Sequence, residues 1–179
     1  RDIDHSEVEL ERDRLTAAME KSSEELRLAT QSALDMPRLA ESASVLSAHS
    51  SMATEIAALV RQQIGDQFVN VEQALDSVIG EWLIRLQRLD NSRLCQREQD
   101  VRDVGQRIMR NLIGAAPWSE SLVPAGSVII ARELLPSDAI QLAHFGVVAI
   151  VTERGGLYSH TAIVAQSLGI AAVSGIPDV

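Results

Sequence analysis

The spacing of the apolar residues changes once along this chain, and that change constrains the fold more than any other feature. From Val8 to Gly114 the apolar residues recur at steps of three and four, which keeps side chains on one face of a helix. Val8, Glu11, Leu15, Ala18, Ser22, Leu26, Ala29 and Ala33 trace the first such face. Asp4 and Ser6 are N-cap candidates for it. Pro37 ends or kinks it, because the residue before a proline disfavours helical backbone angles. Residues 39–64 continue as helix through Leu46, Ile56, Leu59 and Val60, with Gly65-Asp66 read as the stop. Asn70 caps a third helix whose face is Val71, Leu75, Val78, Trp82, Leu86 and Leu89, and Asp90-Asn91-Ser92 reads as a turn. A fourth helix carries Leu94, Val101, Val104, Ile108 and Leu112, and Gly114 fits the position just past its end. Four helices with short connections imply antiparallel hairpins around a shared core.

After Gly114 the pattern shortens. Pro117, Pro124 and Gly126 mark a linker. Residues 127–131, 147–151 and 170–174 are short β-branched runs that read as strands. Between them Pro136 opens one short helix, where its missing N–H costs nothing, and residues 162–168 form another. Strand, helix, strand, helix, strand spells a small α/β unit. The chain is therefore expected to be a two-part α+β protein, with a four-helix antiparallel bundle over residues 1–115 and a small α/β domain over residues 116–179.

Charge and composition remove several functions. Sixteen Lys+Arg against 25 Asp+Glu leave a net charge of −9, which opposes binding to a phosphate backbone and suits a neutral or basic protein partner. Aromatics at 3% are too few for a base-stacking platform. Lys21 is the only lysine and no Gly-Lys-Ser/Thr occurs, so there is no P-loop. Cys95 stands alone, which rules out an intrachain disulfide and a cysteine-held zinc, and suits a reducing, cytoplasmic compartment. No apolar stretch approaches the roughly twenty residues that span a bilayer, and the polar start at Arg1-Asp2-Ile3-Asp4 does not read as a signal peptide. No spacing of His or carboxylates suggests a metal held by this chain.

The stretch able to carry chemistry is Glu153-Arg154-Gly155-Gly156-Leu157-Tyr158-Ser159-His160-Thr161-Ala162. It follows an apolar strand and precedes a helix. Gly155-Gly156 permits positive φ and a close approach to the backbone, and Ser159 is a good N-cap. His160 then falls in the first helical turn, where amide N–H groups and the positive end of the dipole favour an anion. The same field opposes protonation of the ring and keeps a nitrogen lone pair available as a nucleophile. Ser159 and Thr161 are candidate hydroxyl donors to phosphoryl oxygens. No carboxylate is adjacent in sequence, so a group orienting the ring has to come from elsewhere in the fold.

Residues 155–175 resemble the phosphohistidine signature of the phosphoenolpyruvate-utilising enzymes, and within them the Enzyme I branch of the bacterial phosphotransferase system. Thr161 directly after the histidine is the Enzyme I form, where the dikinase and phosphoenolpyruvate synthase branch usually has Ala. Val101-Arg102-Asp103-Val104-Gly105, Arg110-Asn111-Leu112-Ile113-Gly114 and Leu135-Pro136-Ser137-Asp138 are similar to further family segments. The resemblance covers nearly the whole chain. It implies that the C-terminal part is a swivelling phosphohistidine domain, truncated here, and that the helical part docks the carrier protein HPr. His160 would accept a phosphoryl group through Nε2 and pass it to a histidine of HPr. Phosphoenolpyruvate and Mg²⁺ would bind a separate C-terminal barrel outside this chain, so phosphoenolpyruvate alone is not expected to charge it. The runner-up readings are a dikinase or synthase swivelling domain, and a non-catalytic module that only binds a partner.

Three positions depart from the family pattern. Gln166 stands where Arg is common, Ala139 where Thr is common, and roughly six residues are absent after Val45-Leu46-Ser47-Ala48-His49. His49, with Leu46 and Met52 three residues to either side, is expected in a packing or partner-binding role. Arg102, Asp103 and Arg107 read as surface pairs on the fourth helix, each worth a few tenths of a kcal/mol. Trp82 reads as core, and Trp118 as a packing residue of the linker.

Overall fold

The computed structural model describes residues 1–88, 94–114, 118, 121–156 and 159–178. Its helices are α1 (Val8–Leu34), α2 (Ala40–Gln67), α3 (Val71–Gln87), α4 (Leu94–Leu112), α5 (Pro136–His144) and α6 (His160–Ser167), and its strands are β1 (Val128–Ala131), β2 (Ala149–Thr152) and β3 (Ala171–Ser174). Leu89, the expected turn at Asp90-Asn91-Ser92, and Pro117 lie outside the described residues. Asp4 precedes a single 3-10 turn leading into α1, and Glu7 accepts its N–H at 2.9 Å. Ser6 lies inside that turn rather than capping it. After Pro37 one 3-10 turn leads into α2.

The chain forms two compact units, residues 1–24 with 48–115 and residues 25–47 with 116–179. The first is helical. Val8 and Leu15 of α1, Ile56, Val60 and Ile64 of α2, Val71, Leu75 and Val78 of α3, and Val104 and Ile108 of α4 share its core. Trp82 packs against it. Each apolar side chain buried in such a core contributes about 1.5–3 kcal/mol over its exposed state. Glu11 is buried on the face of α1 and ties two helices: its carboxylate accepts Val71 N–H at 2.9 Å and Arg14 Nη1 at 2.8 Å. The first N–H groups of a helix have no partner within it, so Glu11 caps α3 from outside while Asn70 caps it locally, accepting Gln73 N–H at 3.2 Å. Gly105 marks a close approach of α3 and α4, since a Cβ there would meet Ile79 at 2.8 Å.

The second unit holds a parallel sheet in the order β1-β2-β3, in register Val128↔Ala149↔Ala171. Ile129 and Ile150 face a core shared with Ile140 and Leu142 of α5 and Val164 and Ala165 of α6. Leu26, Ala29, Ala33, Leu39, Ala43 and Leu46 belong to the same core. Trp118 packs on it too, and its carbonyl accepts Gln141 Nε2.

The structure differs from the sequence expectation in three places. Residues 25–47 were expected to belong wholly to a helical domain ending at 115, but their apolar faces are part of the α/β core. A helix face carries no sign of which partner it will meet. Gly65-Asp66 does not stop α2, which runs to Gln67 before Phe68 takes φ 52°. Gly65 instead makes room for Arg12, whose guanidinium lies 2.5 Å from where a Cβ would stand. Asp103 and Arg107 are not surface residues, each being only 2% exposed. Of the three expected surface charges on α4, only Arg102 is exposed.

Candidate active site

The turn between β2 and α6 is built from backbone constraints. Gly155 has φ +103°, a region that an L side chain rarely enters. Gly156 is not in that region, but its carbonyl accepts Ser159 N–H at 3.0 Å. Ser159 is the N-cap: its Oγ accepts Ala162 N–H at 3.2 Å, and its carbonyl accepts Ile163 N–H at 3.0 Å. Such a cap is worth about 1 kcal/mol. His160 is therefore the first residue of α6, at the end where the helix dipole is positive. The residue is half-buried and its Nδ1 is enclosed by protein. Leu157 and Tyr158 lie outside the described residues.

Thr161 sits differently from its expected role. Its hydroxyl donates to the Leu134 carbonyl at 2.7 Å, so its proton is already engaged. The bond ties the start of α6 to the segment leading into α5. There Asp138 Oδ2 accepts Leu135 N–H at 2.9 Å and caps α5. Ser159 keeps its own proton, because its Oγ accepts in the cap. Ala139 is buried in α5, and Gln166 faces outward on α6. At the strand ends Arg132 pairs with Glu153 at 3.2 Å and Arg154 with Glu133 at 3.6 Å. Exposed pairs of this kind are worth at most about 1 kcal/mol. Glu133, Glu153 and Asp138 are thus engaged by arginines or by backbone.

Leu46, His49 and Met52, offered by the sequence as partner-binding residues, do not form an exposed face. Leu46 is 0% exposed in the α/β core, and His49 is 1% exposed. Nε2 of His49 faces Asp100 Oδ1 on α4 at 3.0 Å. The burial of His49 fits the packing half of the role expected of it. Met52 is half-buried against the helical core. Sequence reasoning missed Asp100 as the partner of His49, and Glu11 as the outside cap of α3. Their partners are 51 and 60 positions away, with no local signal joining them. Of the other histidines, His144 Nδ1 lies 2.9 Å from the Ile140 carbonyl in the last turn of α5, and the His5 ring stacks obliquely on Phe68. The side chains of Leu94 and Cys95 lie outside what the structure describes.

Comparison with known proteins gives a consistent family. Residues 1–97 match the model of the PEP-utilising enzyme, N-terminal, and residues 123–179 match that of the PEP-utilising enzyme, mobile domain. Phosphoenolpyruvate-protein phosphotransferase of Geobacillus stearothermophilus is 37% identical over 177 residues, and that of Priestia megaterium is 36% identical over the same length. Each alignment covers 97% of this chain and 30% of the relative, so the chain spans under a third of their length. An NMR solution structure of Enzyme I superposes with a TM-score of 0.80 at 34% identity, covering 99% of this chain and 72% of the other.

Proposed function

This chain belongs to the phosphoenolpyruvate-utilising enzymes, and on that basis we propose that His160 carries a phosphoryl group between a donor and a carrier protein. The placement of His160 supports this reading most strongly: it opens α6 directly behind an N-cap serine and a glycine turn. By the family resemblance, Nε2 is the ring nitrogen that meets the donor, and the burial of Nδ1 is compatible with that. Its lone pair attacks phosphorus, the bond from phosphorus to the donor breaks, and the Nε2–P bond forms. The three phosphoryl oxygens then lie at the positive end of α6, where the dipole and the amide N–H groups of the first turn stabilise negative charge. Ser159 is positioned to add a hydroxyl donor. Gly155 and Gly156 keep side chains out of the space the group enters. Thr161 supports the site indirectly, by fixing the first turn of α6 to Leu134.

The carrier in this reading is an HPr-like phosphoprotein that docks on the helical unit. The net charge of −9 favours a partner with a basic face. Phosphoenolpyruvate and Mg²⁺ belong to the remainder of a full-length enzyme, and the overall reaction is transfer from phosphoenolpyruvate to the carrier. Among the described residues no helix is long and apolar enough to cross a membrane. We place the protein in the cytoplasm, where carriers of this kind act.

Incubating the chain with ³²P-labelled phospho-HPr tests the proposal. The expected product is an acid-labile, base-stable phosphate on the wild-type chain and none on His160→Ala. A folded wild-type chain that takes no label from a cognate carrier would favour a module that binds a partner without carrying phosphate. Label that persists in His160→Ala would place the phosphate elsewhere.

A further inference from the structure

The ends of β2 and β3 are tied in a way the transfer step does not use. Thr152, only 4% exposed, donates from Oγ1 to Ser174 Oγ at 3.1 Å across a register pair of the sheet. The Thr152 carbonyl also accepts Gly175 N–H at 3.0 Å and Ile176 N–H at 3.2 Å. Side chain and backbone of one threonine thus hold the chain where it leaves β3.

Ser174 in turn stands against the glycine turn. A Cβ built on Gly155 would lie 3.8 Å from both Cβ and Oγ of Ser174, and 3.6 Å from Ser159 Oγ. Gly155 therefore lies near both the hydroxyl that ends β3 and the hydroxyl that caps α6, with room for a single methyl group beside them. On the other side Gly175, at φ +81°, has room for a Cβ only 3.7 Å from the Gly155 carbonyl. A free serine hydroxyl samples several staggered rotamers. The hydrogen bond from Thr152 keeps this one in place.

We infer that Ser174, oriented by Thr152, is a positioning residue for His160, acting through Gly155 and Ser159. The inference rests on the phosphohistidine reading above. With Ser174 pinned, the turn has one arrangement in which Ser159 reaches the Ala162 N–H and the imidazole leaves the helix end in a fixed direction. Without the pin the turn shifts, and small misplacements of a reacting group cost large factors in rate.

The test uses the chain with phosphoramidate, a small donor that needs no carrier. The phosphoryl group passes from its nitrogen to Nε2 and ammonia leaves. Initial labelling rates and thermal midpoints are measured for wild type, His160→Ala, Thr152→Val, Ser174→Ala and Ser174→Thr. The expected result is labelling of wild type but not of His160→Ala. Thr152→Val and Ser174→Ala should label roughly tenfold slower or worse with unchanged midpoints, and Ser174→Thr should recover most of the rate. Wild-type rates for Ser174→Ala overturn the positioning role and leave the phosphohistidine reading intact. A defect that Ser174→Thr does not repair also overturns it, since the hydroxyl is then not what matters. A wild-type chain that takes no label on His160 overturns the reading and the positioning role together.

Discussion

At the scale of single residues, charge placement makes a pH prediction. Arg14 bridges Glu11 of its own helix and Glu72 at the start of α3. Burial pushes the Glu72 carboxyl up, but the Arg14 hydrogen bond, its backbone N–H and nearby positive charge outweigh that, and the group lies below its ordinary value. The Glu72 hydrogen bond leads the effects that hold the Arg14 guanidinium above its own ordinary value. A carboxyl depressed in the folded state stabilises above its unfolded value, about 4.3, and that contribution disappears as pH falls through the folded value. Glu72→Gln should therefore be less stable than wild type at pH 7, by no more than about 1 kcal/mol because the pair is half-exposed. The gap should close below about pH 4. Urea denaturation of both proteins across that range checks it, and a gap that persists in acid would show that the charge is not its source.

At the scale of elements, most of what the sequence promised is present. The N-caps at Asn70 and Ser159, the proline opening α5 and the positive φ of Gly114 all follow from local chemistry. These features were legible because each depends on residues within about four positions. Gly105 shows what local pattern does not reveal. In isolation a glycine inside a helix costs up to about 1 kcal/mol relative to Ala, yet here it lets Ile79 of α3 approach α4. Gly105→Leu should lower stability by about 2 kcal/mol through overpacking, despite the gain in helix propensity. A thermal melt that rises instead would mean that α3 and α4 part without cost.

At the scale of the whole molecule, the assignment of residues 25–47 to the α/β unit has a measurable consequence. Leu26→Ala should cost about 2–5 kcal/mol, and hydrogen exchange should speed up most in β1, β2 and α6. Ile56→Ala should cost a similar amount and speed exchange in α3 and α4. If Leu26→Ala instead loosens α3 and α4, the unit boundary is wrong. By itself the sequence determined the helices and strands, the change of period near residue 115, the caps, and the glycine turn that delivers His160. These are short-range properties, set by which neighbours a side chain meets along its own helix or strand. Only the tertiary structure decided that Leu46 and His49 are enclosed, that Asp103 and Arg107 are buried, that Glu11 caps a helix 60 residues on, and that Thr161 bonds Leu134. Each of these depends on which distant backbone or side chain arrives opposite. An amphipathic face specifies that it will be covered, but many partners of similar shape bury the same area, and packing of the complete chain selects among them.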